Sequence, residues 1–123
     1  MNVVLVFIGG GIGAATRYWM DGALQRWTGS SFPVGTFVIN AIGCFLIGFM
    51  MGALQDRFMV NPSLRVFLAI GILGGFTTFS TFSYETVTMM RDAEYLYAAV
   101  NVLFTVVTCL GATSTGMFVG KLF

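Results

Sequence analysis

The sequence predicts an all-α membrane protein of four transmembrane helices, and three observations carry that prediction. Hydrophobic residues make up 57% and charged residues 9% of the 123-residue chain, far outside the range of a soluble globular domain. Four apolar runs, each long enough to cross roughly 30 Å of hydrocarbon, alternate with short polar connections. The arginines and lysines divide almost evenly between the two sides that those runs define. The length allows one domain, residues 1–123.

The first run covers about residues 3–24. Arg17 interrupts it near its far end, where a guanidinium must snorkel to the interface or line water. Gly9-x-Gly11-x-x-Ala14 after Val3-Val4-Leu5-Val6-Phe7-Ile8 imitates a strand and dinucleotide-binding turn, but the acid that would close a second strand about 20 positions on is missing. The N-terminus is apolar from Val3, lacks a basic leader region and runs into three glycines without a cleavage site, so it reads as a retained helix. Gln25 to Pro33, with Gly29-Ser30-Ser31, is a polar loop.

The second run covers about residues 35–54. Thr36, Asn40 and Gly43 share one of its faces, and Asn40 is its sole amide. A buried amide in lipid needs a partner: either a hydrogen bond that ties two helices together, worth roughly 0.6 to 2 kcal/mol, or a polar path. Gln55 to Ser63, with Asp56, Arg57, Asn61 and Pro62, is the longest polar connection and separates two helical pairs.

The third run, about residues 64–90, is broken near Gly74-Thr78. Two adjacent glycines cost roughly 1 kcal/mol each against alanine in a helix interior, and two threonines follow them. The carbonyls that such a break frees persist in a bilayer only where they are buried in protein, line water or coordinate an ion. Beyond the break, Phe79 and Phe82 fall on one helical face, while Thr78, Thr81, Glu85 and Thr88 make a polar one. Glu85 either pairs with Arg91 at the interface or faces an aqueous vestibule; the residues alone leave both open. The fourth helix covers about residues 95–118, with Asn101, Thr105, Thr108 and Ala112 on one stripe. Each helix carries a Gly-xxx-Gly pair, Gly9/Gly13, Gly48/Gly52, Gly71/Gly75 and Gly116/Gly120, a weak signal for close helix contact in so glycine-rich a chain.

Four spans place both termini beside the Asp56-Arg57 connection, with Arg57, Arg65 and Lys121 on that side. Arg26 and Arg91 lie opposite, with Arg17 adjoining them. That is almost no bias under the positive-inside rule. A chain without orientation preference inserts both ways, and one four-helix unit encloses little, so an antiparallel homodimer is expected.

Composition also narrows function. With no histidine and five scattered acids, a zinc site and a Ser-His-Asp triad are both out of reach, which argues against an enzyme. A net charge of +1 offers no case for nucleic acid. Cys44 and Cys109 lie in apolar runs, form no C-x-x-C pair and read as packing residues. A small multidrug-type, proton-coupled exporter of cationic compounds is the alternative function. It needs a membrane carboxylate, and Glu85 is the one candidate. A purely structural subunit has no use for the broken helix. An anion path without lysines calls instead for neutral donors, and Asn40, Ser80, Thr81 and Thr105 supply them. The positive rims of Phe79 and Phe82 add to these by replacing water around a small anion.

The string Gly74-Gly75-Phe76-Thr77-Thr78-Phe79-Ser80-Thr81-Phe82-Ser83 resembles the signature of the Fluc family of small dual-topology bacterial fluoride channels. Gly13-Ala14-Ala15-Thr16-Arg17-Tyr18 resembles the family's first-helix segment, and Gly35-Thr36-Phe37-Val38-Ile39-Asn40 the opening of its second helix. The resemblance runs nearly end to end. It implies passive fluoride export across the bacterial cytoplasmic (inner) membrane, with chloride rejected, through two antiparallel pores per homodimer. By that resemblance Phe79 and Phe82 are the pore phenylalanines, Asn40 the pore asparagine, and Ser80 and Thr81 part of a polar track. The resemblance also implies that the carbonyls of Gly74 and Thr77 from both subunits hold a central structural sodium ion, four oxygens suiting a hard cation. In helix four the family often has a tyrosine and serines where this chain has Asn101, Thr105 and Cys109, so that lining departs from the pattern.

Overall fold

The computed structural model describes residues 2–123. Four helical spans cross in alternation: α1 (Asn2–Thr28), α2 (Val34–Ala53), a composite third span (Pro62–Arg91) and α7 (Tyr95–Gly120). Each is long and apolar enough to cross a membrane. The chain is thus a multi-pass α-helical membrane protein.

The first span continues a turn beyond Leu24 because Gln25 works as a staple rather than as loop. Its Nε2 donates to the carbonyls of Ser30 (2.6 Å) and Phe32 (2.9 Å), and its Oε1 accepts from the N–H of Gly35 (3.1 Å). Gly29, at φ +62°, supplies the left-handed residue that closes the helix. Part of the polar connection from Gln55 to Ser63 is a short helix, α3 (Gln55–Val60). Asn61 then caps α4 (Pro62–Arg65), accepting from the N–H of Leu64.

The third span is less regular than its apolar pattern predicts. After α4 it widens into a π-helical stretch, Val66–Leu73, and tightens again into α5 (Gly74–Phe76) before the break. The diglycine itself stays helical. The interruption falls on Thr77 (φ −87°, ψ 156°) and Thr78 (φ −151°, ψ 124°), both extended, and α6 (Phe79–Arg91) starts afresh beyond them. Close packing explains why the glycines hold: a Cβ on Gly75 would press into the backbone of Gly10 on α1. The β-branched threonines favour the extended conformation that follows.

The spans associate as two parallel pairs, and the four Gly-xxx-Gly motifs divide between them. Gly9 and Gly13 of α1 lie against Gly71, Ile72 and Phe76 of the third span, whereas Gly48 and Gly52 of α2 lie against Thr113 and Met117 of α7. Gly116 and Gly120 return the second contact against Phe45 and Phe49. In lipid, where burial of apolar surface drives little, such backbone-to-backbone approach is a principal source of helix association. Much of the outer face of α6 and α7 is left uncovered in the single chain, Phe79, Tyr84, Leu103, Val107 and Leu110 among it.

Candidate functional site

The break is held open by side chains that take over its hydrogen bonds. Asn40 on α2 pairs with Thr78 in both directions: Nδ2 donates to the Thr78 carbonyl at 3.0 Å, and Oδ1 accepts from the Thr78 N–H at 2.9 Å. An amide can mimic a backbone partner in this way, and Asn40 is buried where it does so. The helix-tying role is therefore realised, and one Nδ2 hydrogen remains for another acceptor. Thr78 also caps α6, its Oγ1 accepting from the N–H of Thr81 at 3.4 Å. Leu73 closes the other side, its carbonyl accepting both the N–H and the hydroxyl of Thr77 at 3.0 Å.

These diversions single out two carbonyls. In a continuous helix the N–H of Thr78 would serve the carbonyl of Gly74, and that of Thr81 the carbonyl of Thr77. They go instead to Asn40 and to the Thr78 hydroxyl. Arg17 answers a third: its Nε donates to the Gly75 carbonyl at 3.1 Å, a cation at the C-terminal end of a half-helix, where the dipole favours it. Arg17 thus caps the break from α1.

Beside the break lies a cavity of about 300 Å³ lined by Asn40, Cys44, Thr77, Thr78, Phe79 and Phe82, with part of α7 opposite. Four of the six residues expected along an anion path, Asn40, Phe79, Phe82 and Thr105, meet there. The two rings lie 5.5 Å apart, tilted by 53°, but their settings differ. Phe82 is buried and Phe79 is 77% exposed, so one belongs to the subunit core and the other points away from it. Ser80 is exposed and bonds to Thr78 Oγ1 (3.1 Å) outside the cavity lining. The Thr81 hydroxyl accepts from that same Oγ1 at 3.4 Å, which leaves its own proton free to donate.

One expectation needs correction. Thr105 lines the cavity, but its hydroxyl proton is given to Asn101 Oδ1 (3.4 Å), so in this arrangement it is an acceptor rather than a donor. Asn101, almost fully buried, in turn donates to Thr86 Oγ1 (2.9 Å), whose own proton goes to the Phe82 carbonyl (2.8 Å). That chain ties α7 to α6. It escaped the sequence because Thr86 lies off the polar face drawn through Thr78, Thr81, Glu85 and Thr88. Of the two readings left open for Glu85, the pairing with Arg91 is not formed: its partner is Thr36, Oε2 accepting at 3.2 Å. Its Oε1 is buried without a hydrogen-bond partner among the described residues. Glu85 borders a second, acidic cavity with Asp21, Asp92 and Glu94. The Thr36/Asn40 face held the signal for that contact.

Chemically, the first cavity offers the Asn40 amide donor and aromatic rims, with the Thr81 hydroxyl 3.4 Å from that of the lining Thr78 and no charged side chain among its described lining residues. Such a site desolvates a small anion partially and holds it weakly. The family model described as CrcB-like protein, Camphor Resistance (CrcB), matches residues 4–117. The fluoride-specific ion channel FluC of Geotalea uraniireducens is 45% identical over 120 residues, covering 98% of this chain and 97% of that one. Its counterpart in Geotalea daltonii is 48% identical over 116 residues, 94% of each chain, and that of Geobacter sulfurreducens 41% over 120 residues, 98% and 97%.

Proposed function

Because the chain belongs to the CrcB-like family, we propose that it is a fluoride-selective channel that lets fluoride leave the cytoplasm passively. The observation that carries the reading is the uncharged cavity at the helix break, where Asn40, Phe79 and Phe82 converge. Fluoride is small and strongly hydrated, so entry requires donors that replace water, and exit requires that none of them bind tightly. The free Nδ2 hydrogen of Asn40, the Thr81 hydroxyl and the rims of Phe79 and Phe82 meet both conditions. Relatives named as fluoride-specific ion channels, covering almost the whole chain, favour this reading over a cation exporter. Glu85, the acid such an exporter needs, is hydrogen-bonded to Thr36 and borders a different cavity.

The working unit in this proposal is an antiparallel homodimer with two pores. The near-even distribution of arginine and lysine and the uncovered α6 and α7 faces support it. So does the exposed Phe79, which a second copy would bury. The carbonyls of Gly74 and Thr77, whose helical donors are diverted, fit a hard cation such as sodium. Two oxygens from one chain are too few for it, and two copies supply four. The ion would lock the breaks of the two chains together; the anion is handled by other groups.

Fluoride efflux from liposomes containing the purified protein tests the proposal. Rapid fluoride release with negligible chloride release is expected. Equal release of both anions, or of neither, would refute it.

A further inference from the structure

Cys44 and Cys109 are far apart in sequence and share no motif, yet helix packing brings them to one place. α2 and α7 run in parallel, with Gly48 against Thr113 and Gly116 against Phe45. The Thr113 hydroxyl donates to the carbonyl of Cys44 at 3.1 Å, which fixes position 44 against the turn that holds position 109. Both thiols are free and half-buried. Cys44 stands one turn before Gly48 and Cys109 one turn before Thr113, the two residues in contact, so the parallel helices carry both thiols at one level, and both line the cavity that contains Asn40, Phe82 and Thr105.

We propose that Cys44 and Cys109 form a two-thiol site for a soft, two-coordinate metal ion of the Cu(I), Ag(I) or Hg(II) class, and that filling it blocks the anion path. The block rests on the fluoride-conduction reading; the metal site does not. Thiolates select soft ions, and the remaining neighbours, Val106 and Leu110 among them, add no further strong ligand. A four-coordinate ion such as zinc would be left two ligands short. With Hg(II), each thiol gives its proton to water as a sulfur–metal bond forms. The two charges of Hg(II) are matched by two thiolates; with Cu(I) or Ag(I) one thiol releases its proton and the other binds as the neutral thiol, so the product is neutral in either case, as a low-dielectric cavity favours. The bridged metal then occupies the space beside Asn40 that a passing anion needs.

The probe is Hg(II) added to the full chain in detergent, read by intact mass. One mercury per chain with the loss of two protons is expected for the native protein. Cys44→Ser and Cys109→Ser should each lose the bridged species while still taking up methylmercury at the remaining thiol, which shows that chain folded and accessible. In liposomes, equimolar Hg(II) should slow fluoride efflux about tenfold or more, dithiothreitol should restore it, and the doubly substituted chain should give the same rate with and without metal. Two mercuries per native chain, or a bridged species that survives either single substitution, would overturn the site. A bridged species with unchanged efflux would overturn the block. Native liposomes that release no fluoride before metal is added would refute the conduction reading and the block with it, while the mass measurement still decides the site.

Discussion

Replacing Asn40 by aspartate is the sharpest perturbation, because the structure separates its two consequences. The Oδ1 that accepts from the Thr78 N–H at 2.9 Å survives, but the Nδ2 donor, 3.0 Å from the Thr78 carbonyl, becomes an oxygen facing an oxygen. One hydrogen bond, worth about 1 kcal/mol, turns into a repulsive contact. The greater effect falls on the permeating ion. A cavity of about 300 Å³ puts an anion inside it about 5 Å from this side chain. At an effective dielectric of about 20, two like charges at that distance repel by about 3 kcal/mol, a factor of roughly 200 in occupancy. Fluoride efflux from liposomes, after subtraction of empty-vesicle leak, should therefore fall by about two orders of magnitude at neutral pH, with an unchanged elution volume showing intact assembly. Asn40→Ala removes the clamp without adding charge and should lower efflux less than Asn40→Asp does. Undiminished efflux in Asn40→Asp, or equal losses in both variants, would refute the reasoning.

Phe79→Ile and Phe82→Ile keep apolar bulk but remove the ring quadrupole, worth about 0.5 to 1.5 kcal/mol in aromatic contacts. Both should reduce fluoride efflux, while only the buried Phe82 should also lower thermal stability in detergent; full efflux in both would remove the rings from the path. Gly13→Ala places a Cβ against the Ile72 carbonyl, whereas Gly11→Ala meets nothing within 4 Å. The first should destabilise by about 1 to 3 kcal/mol, whereas the second, free of any clash and gaining helix propensity, should be neutral or stabilise by up to about 1 kcal/mol, compared by unfolding in mixed detergent. Ala93 ends α6 in the left-handed region at φ 61°, with the Glu94 N–H bonded to the Met89 carbonyl. Ala93→Gly should therefore raise the melting temperature, relieving about 1 kcal/mol of strain without changing efflux. In a background with Cys44 and Cys109 replaced by serine, single cysteines at Ser30 or Ser63 should be labelled from both sides of the membrane; labelling from one side alone would rule out dual topology.

The membrane class, the four spans and the presence of a break in the third were legible in the sequence, because each depends on local composition and spacing. A run of apolar residues partitions into lipid whatever its neighbours are. The family was legible too, since the string around Gly74 to Ser83 is compact and specific. What needed the tertiary structure was every choice of partner. The sequence placed the break within Gly74 to Thr78; where in that stretch it falls is a matter of packing, because the backbone of Gly10 against Gly75 goes with a helical turn at the diglycine and the interruption lies at Thr77 and Thr78. Nothing local says that Asn40 clasps Thr78, that Arg17 reaches Gly75 or that Glu85 meets Thr36 rather than Arg91. Cys44 and Cys109 read as packing residues until α2 and α7 are aligned in parallel. A helical wheel shows which residues share a face; which face meets which, and at what height, is decided by glycine-to-backbone contacts between spans far apart in the chain.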